Sequence, residues 1–238
     1  MTPRVDLASL TRSFANQLKD LLNATVCDGA YIGVLERPDG VVFLGTELRK
    51  VGRAQPVRLR TSGDVPLWLA VHMRTALDPE GYLVTQESTY TLSKGFDQVE
   101  LLHYDYERDK AGYPDAHVQV IGGSKDWDDV LVASGRSRGG LGKLHFTVGG
   151  RRYRPSVEDV IDMLIDERFL DPKPQARERL AVSREAFQRR QLRAAIRRDP
   201  DAAVLELRAA GYHVVEPDQV ERRSRTGLAP GRKRRGRG

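Results

Sequence analysis

The sequence predicts an α+β fold: an N-terminal helix, an antiparallel β-meander covered by a helix, then a small basic helical module and a disordered tail. Three observations carry that reading. Near the N-terminus apolar residues recur at steps of three and four, the period of a helix. From Tyr31 the period becomes two, in runs separated by short turns rich in Gly and Pro. Beyond residue 172 the charge changes sign.

The helical stripe is Leu7, Leu10, Phe14, Leu18, Leu21 and Leu22, and the pattern breaks at Gly29. "YIGVLERPDGVVFLG" then reads as a hairpin about Pro38-Asp39-Gly40. "PVRLR" alternates apolar and basic residues. In the next run Leu67, Leu69, Val71 and Met73 share one face, and Trp68, Ala70, His72 and Arg74 share the other. Turns at Asp78–Gly81 and Ser93–Gly95 lead into "YLVTQESTYTL", "VELLHYDYE" and "AHVQVIG". Such short turns permit only antiparallel neighbours, so we expect a meander of about four to seven strands. Residues 123–142 read as a glycine-rich loop with one apolar run, and "KLHFTVGG" as a further strand.

Ser156 opens the covering helix, with Asp159 in capping-box position and Val157, Val160, Ile161, Leu164 and Ile165 as its apolar stripe. "DPKPQ" (171–175) predicts the domain boundary. This divides the chain into an α+β body over 1–170, a helical basic module over 171–220 and an Arg-rich tail over 221–238. In the module Ser183 is the expected cap of a helix reaching Arg198. Asp199, with Pro200 at the first helical position and Gly211 past the end, frames a second helix.

Composition excludes several classes. No run of about 18 apolar residues exists, so no membrane partner is expected. The N-terminus lacks the pattern of a secretory signal. The single cysteine, Cys27, cannot form an internal disulfide, which points to a reduced, cytoplasmic setting. Neither a GxGxxG nor a GxxxxGK[ST] pattern is present, so no cofactor is expected. Residues 1–172 hold 21 basic and 25 acidic residues, whereas residues 173–238 hold 18 and 8. A mildly acidic body thus carries a strongly basic C-terminal third, and such asymmetry points to a polyanion, nucleic acid above all.

Two groups of residues could carry chemistry. His103 and Asp105 share one face of their strand, and a turn brings His117 back opposite them. With His145 on a later strand, these four can converge. They suit either a divalent metal or a histidine base oriented by a carboxylate. No HxH, HExxH or CxxC spacing accompanies them, so no metal site is assigned from sequence. Arg151, Arg152 and Arg154 precede a helix N-terminus and form a candidate phosphate-binding group. For nucleic acid, the candidates are Arg189, Arg190, Arg193 and Arg197 on the module. Arg222, Arg223, Arg232, Lys233, Arg234 and Arg235 are those of the tail.

The order "YDYE…YPDAHVQV…LHFTVGG…PSVEDVIDMLI" resembles the TumE-type toxins of bacterial toxin–antitoxin pairs, over residues 55–168. Tyr104, Tyr106, His117 and Pro155 to Val160 match that pattern. The resemblance implies a toxin directed at RNA and a cognate antitoxin protein as partner. A second expectation, of another class, is a non-enzymatic module that binds a protein through its meander and is anchored to nucleic acid by its basic end.

Overall fold

The computed structural model describes residues 6–49, 53–112, 114–133, 137, 140–148 and 154–215. Among these residues the architecture is α+β, with an antiparallel eight-stranded sheet. The chain divides into two compact units, residues 1–191 and 192–238.

Helix α1 (Leu7–Thr25) starts at Asp6, whose carboxylate accepts from the amides of Ala8 and Ser9. Its most buried positions are Ala8, Thr11, Ala15, Leu18, Leu22 and Thr25, with Leu21 beside them. The buried face is therefore rotated from the leucine stripe, and Leu7, Leu10 and Phe14 flank it half-buried. Small residues at its centre let the helix lie close to the sheet. There the Thr11 and Thr75 hydroxyls meet at 2.9 Å and satisfy one another.

The strands are β1 (Ile32–Glu36), β2 (Val42–Thr46), β3 (Val57–Arg58), β4 (Leu67–Leu77), β5 (Leu83–Lys94), β6 (Val99–Glu107), β7 (Ala116–Val120) and β8 (Phe146–Thr147). Their order is β1-β2-β4-β5-β6-β7-β8, while β3 pairs with β4 off that path. These are the seven strands of the meander at the upper end of the expected range, with the further strand of "KLHFTVGG" as β8. The short β2 covers only part of the long β4, pairing Val42–Gly45 with His72–Thr75, and Val57 and Arg58 take Leu69 and Trp68. On β4 the alternation holds as read: Leu67, Leu69, Val71 and Met73 are buried.

Helix α3 (Val157–Asp166) begins with the expected capping box between Ser156 and Asp159. Val160, Ile161, Leu164 and Ile165 pack with Leu18, Leu22, Leu69, Val71, Met73, Tyr90 and Leu92 in one core. Each such side chain removed from water stabilises the fold by about 1.5–3 kcal/mol. The inner face of the sheet is thereby covered by α1 and α3.

Two local readings are corrected. Residues 125–133 form helix α2 (Lys125–Ala133), and Leu141–Lys143 form a 3₁₀ turn, where the glycines suggested a plain loop. Asp126 and Asp128 suit the positive end of the new helix, and Leu131 is buried from it. Helix α4 (Ala176–Arg198) begins seven residues before Ser183. Ser183 is therefore no cap, and its hydroxyl donates to the buried Glu158 at 2.5 Å. Helix α5 (Pro200–Ala209) is framed as read, by Asp199 and by Gly211 at positive φ. The tail over 221–238 lies outside the described residues. No helix among the described residues is long and apolar enough to cross a membrane.

Cys27 is buried beside the end of α1, and burial pushes its thiol up to about 12, with Asp28 adding to the shift and Lys173 opposing it. A buried thiol is inert. At roughly pH 8 the native protein is expected to leave a disulfide exchange reagent unreacted, and to react fully once unfolded in urea. Rapid labelling of the native chain would contradict this burial.

Candidate functional site on the outer sheet face

Side chains alternate across the sheet, and β5, β6 and β7 show the consequence. Ser88, Tyr90 and Leu92 face the core, and their partners Tyr106, Tyr104 and Leu102 lie on the same face. The alternate positions carry the candidates. His103 pairs with Gln119 and Asp105 with His117, which places four polar side chains on a two-by-two grid of the outer face. His117 pairs in turn with Thr147 of β8.

The grid is tightly connected. His103 Nδ1 lies 2.5 Å from Glu100 Oε1, and its Nε2 lies 2.7 Å from Gln119 Oε1 and 3.4 Å from Asp105 Oδ2. His117 Nε2 is 3.9 Å from the same Asp105 oxygen, and its Nδ1 faces the Pro114 carbonyl at 3.4 Å. The His145 ring meets His117 edge-on, with centroids 4.7 Å apart. Gln119 donates its amide to the Gly142 carbonyl at 2.9 Å, which ties the grid to the 3₁₀ turn. Asp105 Oδ1 is buried and has no hydrogen-bond partner among the described residues.

Burial opposes a charge on the His103 ring. The hydrogen bonds to Glu100 and Gln119, with the charge of Asp105, outweigh it and hold this histidine above its ordinary value. Access is uneven: His117 is 4% exposed, His103 and Asp105 are half-buried, and His145 is exposed. A solute reaching this face therefore meets His145 and Asp105 before His117.

All four histidine and aspartate candidates thus come together. Arg154 does not join them. Its guanidinium donates to Ser88 at 3.1 Å and lies 4.6 Å over the Tyr106 ring, and both partners belong to the inner face. The sheet separates it from His117, so it serves the packing of α3 and α4 onto β5 and β6. Arg151 and Arg152 lie outside the described residues, as do Arg222, Arg223, Arg232, Lys233, Arg234 and Arg235. On α4, Arg189, Arg190 and Arg193 are exposed and Arg197 is half-buried. Residues 189, 193 and 197 follow one another at one-turn spacing, so they share a face.

Two members of the site, Glu100 and Gln119, escape a reading of single strands. Gln119 follows from the register once it is known. Glu100 is hidden more deeply, because three residues along a regular strand lead to the opposite face. The pairing steps from Leu92–Leu102 to Ser93–Glu100, so Leu101 is an extra residue that inverts the alternation. This bulge brings Glu100 to the face of His103.

Comparison of the chain with protein families, with curated proteins and with solved structures found no match.

Proposed function

We propose that this protein acts on nucleic acid, with the arginines of its C-terminal third holding the phosphate backbone and the His103–Asp105–His117–His145 group as its reactive centre. The reading extends to an RNA-directed toxin held in check by an antitoxin protein, as the TumE-like order of its motifs implies. The observation that carries it is the convergence of two histidines on one carboxylate oxygen, at 3.4 and 3.9 Å, on the outer face of the sheet, with a third, exposed histidine against them. Groups able to accept, donate and share protons are what phosphodiester chemistry requires. The exposed Arg189, Arg190 and Arg193 on one helix supply the electrostatic attraction.

The deep burial of His117 favours one second reading, in which the grid braces the sheet and the chain is a non-enzymatic nucleic-acid-binding module. The two differ in a simple assay. Wild type, Asp105→Asn and a variant with Arg189, Arg190, Arg193 and Arg197 changed to Gln are induced in a bacterial host. Arrest of growth by wild type, relieved in Asp105→Asn, is the expected result. Growth unaffected by any form leaves the binding module.

Binding is measured separately, with fluorescent single-stranded RNA over a salt series. Each phosphate contact contributes about 0.7 to the slope of log affinity against log salt. The four-arginine variant is expected to flatten that slope by roughly 3. An unchanged slope would remove α4 from the interface.

A further inference from the structure

We propose that His103, Asp105 and His117 bind a divalent transition-metal ion of the zinc class, with the Gln119 carbonyl oxygen beside it. The inference names the chemistry of the grid and stands whether or not the chain engages nucleic acid.

Geometry is the first support. One ligand atom from each of the three residues lies within 4.8 Å of the others. Zinc holds nitrogen and oxygen at about 2.0–2.2 Å in a tetrahedron, so neighbouring ligand atoms sit about 3.4 Å apart. The His103 Nε2–Asp105 Oδ2 edge is already 3.4 Å, and the edge to His117 Nε2 is 3.9 Å. The two histidine ligand atoms lie no more than 4.8 Å apart, and rotation of the imidazole rings would shorten that edge on an ion.

Charge is the second. His103 Nε2 points at two oxygen acceptors at once, Gln119 Oε1 and Asp105 Oδ2, while Asp105 Oδ1 is buried with no donor among the described residues. Acceptors that converge without enough donors call for a cation among them. Glu100 completes the pattern. Its carboxylate takes the hydrogen bond of His103 Nδ1, which leaves Nε2 as the coordinating nitrogen. A carboxylate behind the histidine is how metal-bound imidazoles are oriented.

Ligand type selects the ion. Two imidazoles and one carboxylate suit zinc and its transition-metal neighbours, whereas calcium and magnesium prefer all-oxygen shells. Three protein ligands leave a further position for water, and the partial exposure of Asp105 and His103 gives that position access to solvent. A single strand conceals the set, because two ligands come from β6 and one from β7 at positions fixed only by their pairing.

The test uses the full chain, freed of metal with a chelator and titrated without nucleic acid. Cobalt(II) reports coordination through its visible ligand-field bands, and zinc affinity is read by competition against it. Wild type is expected to bind one ion per chain. Asp105→Asn and His117→Gln are each expected to weaken binding by about 100-fold or more. Glu100→Gln, one step removed from the ion, is expected to weaken it roughly 10–100-fold. His213→Gln, at an exposed histidine beyond α5, should bind as wild type. Equal affinity in wild type and all three site variants would overturn the proposal, as would an unaltered aqueous cobalt spectrum with the wild type. The latter holds even if a variant fails to fold. The four-arginine variant should take up the ion normally, so loss of RNA binding and loss of metal binding are separate outcomes.

Discussion

Leu180→Ala is expected to lower the unfolding free energy by about 2–5 kcal/mol, the range for truncating a buried leucine. Leu180 is fully buried and belongs to the same core as Leu164 and Leu22, although it lies beyond the proline-rich segment at 171–175. Packing continues through that segment. The Asp171 amide donates to the Arg60 carbonyl and the Lys173 amide to the Thr25 carbonyl. Arg184 pairs with Asp162 at 2.6 Å and Ser183 bonds Glu158. Urea or thermal unfolding monitored by circular dichroism measures the loss. Leu192→Ala, at a residue 61% exposed, is the comparison and should change stability by less than about 0.5 kcal/mol. Similar small effects at both positions would show that the start of α4 contributes nothing to the core.

Gly33→Ala is expected to be the most damaging small substitution in the sheet. A Cβ at Gly33 would stand 1.8 Å from the carbonyl oxygen of Leu48 and 2.8 Å from its carbon. Backbone, unlike the end of a flexible side chain, cannot swing away. The turn after β2 must shift, although Glu47 and Leu48 are held by hydrogen bonds to Tyr31 and Gly45. Overpacking of this kind costs about 1–3 kcal/mol and occasionally more. Gly63→Ala meets nothing within 4 Å among the described residues and is expected to be neutral or slightly stabilising, because alanine restricts the unfolded chain. A Gly33→Ala protein as stable as wild type would contradict the close approach.

The elements that could be read from local pattern are those whose signals act over a few residues. The capping box at Ser156, the Asp199-Pro200 helix start and the alternation on β4 depend on neighbours in the chain, and they appear in the fold as read. Helix α2 was obscured because the surrounding glycines outweighed a short apolar run. Ser183 failed as a cap because α4 is extended at its N-terminus by tertiary burial of Ala176 and Leu180.

For the site, residue type and period two were enough to bring His103, Asp105 and His117 to one face. They could not say that Arg154 lies on the other. Its position depends on where α3 packs, and the apolar stripe of α3 places that helix on the core face of the sheet. Nor could they supply Glu100, since one bulged residue inverts the alternation, or pair Gln119 with His103, since register is a property of two strands.

Periodicity, caps and charge balance, all local quantities, are therefore enough to establish an α+β chain with a basic end and a histidine-bearing hairpin. Which polar groups share a face, which are buried, and whether their acceptors outnumber their donors belong to contacts between distant segments. Only the folded sheet, through register and one bulge, decides them.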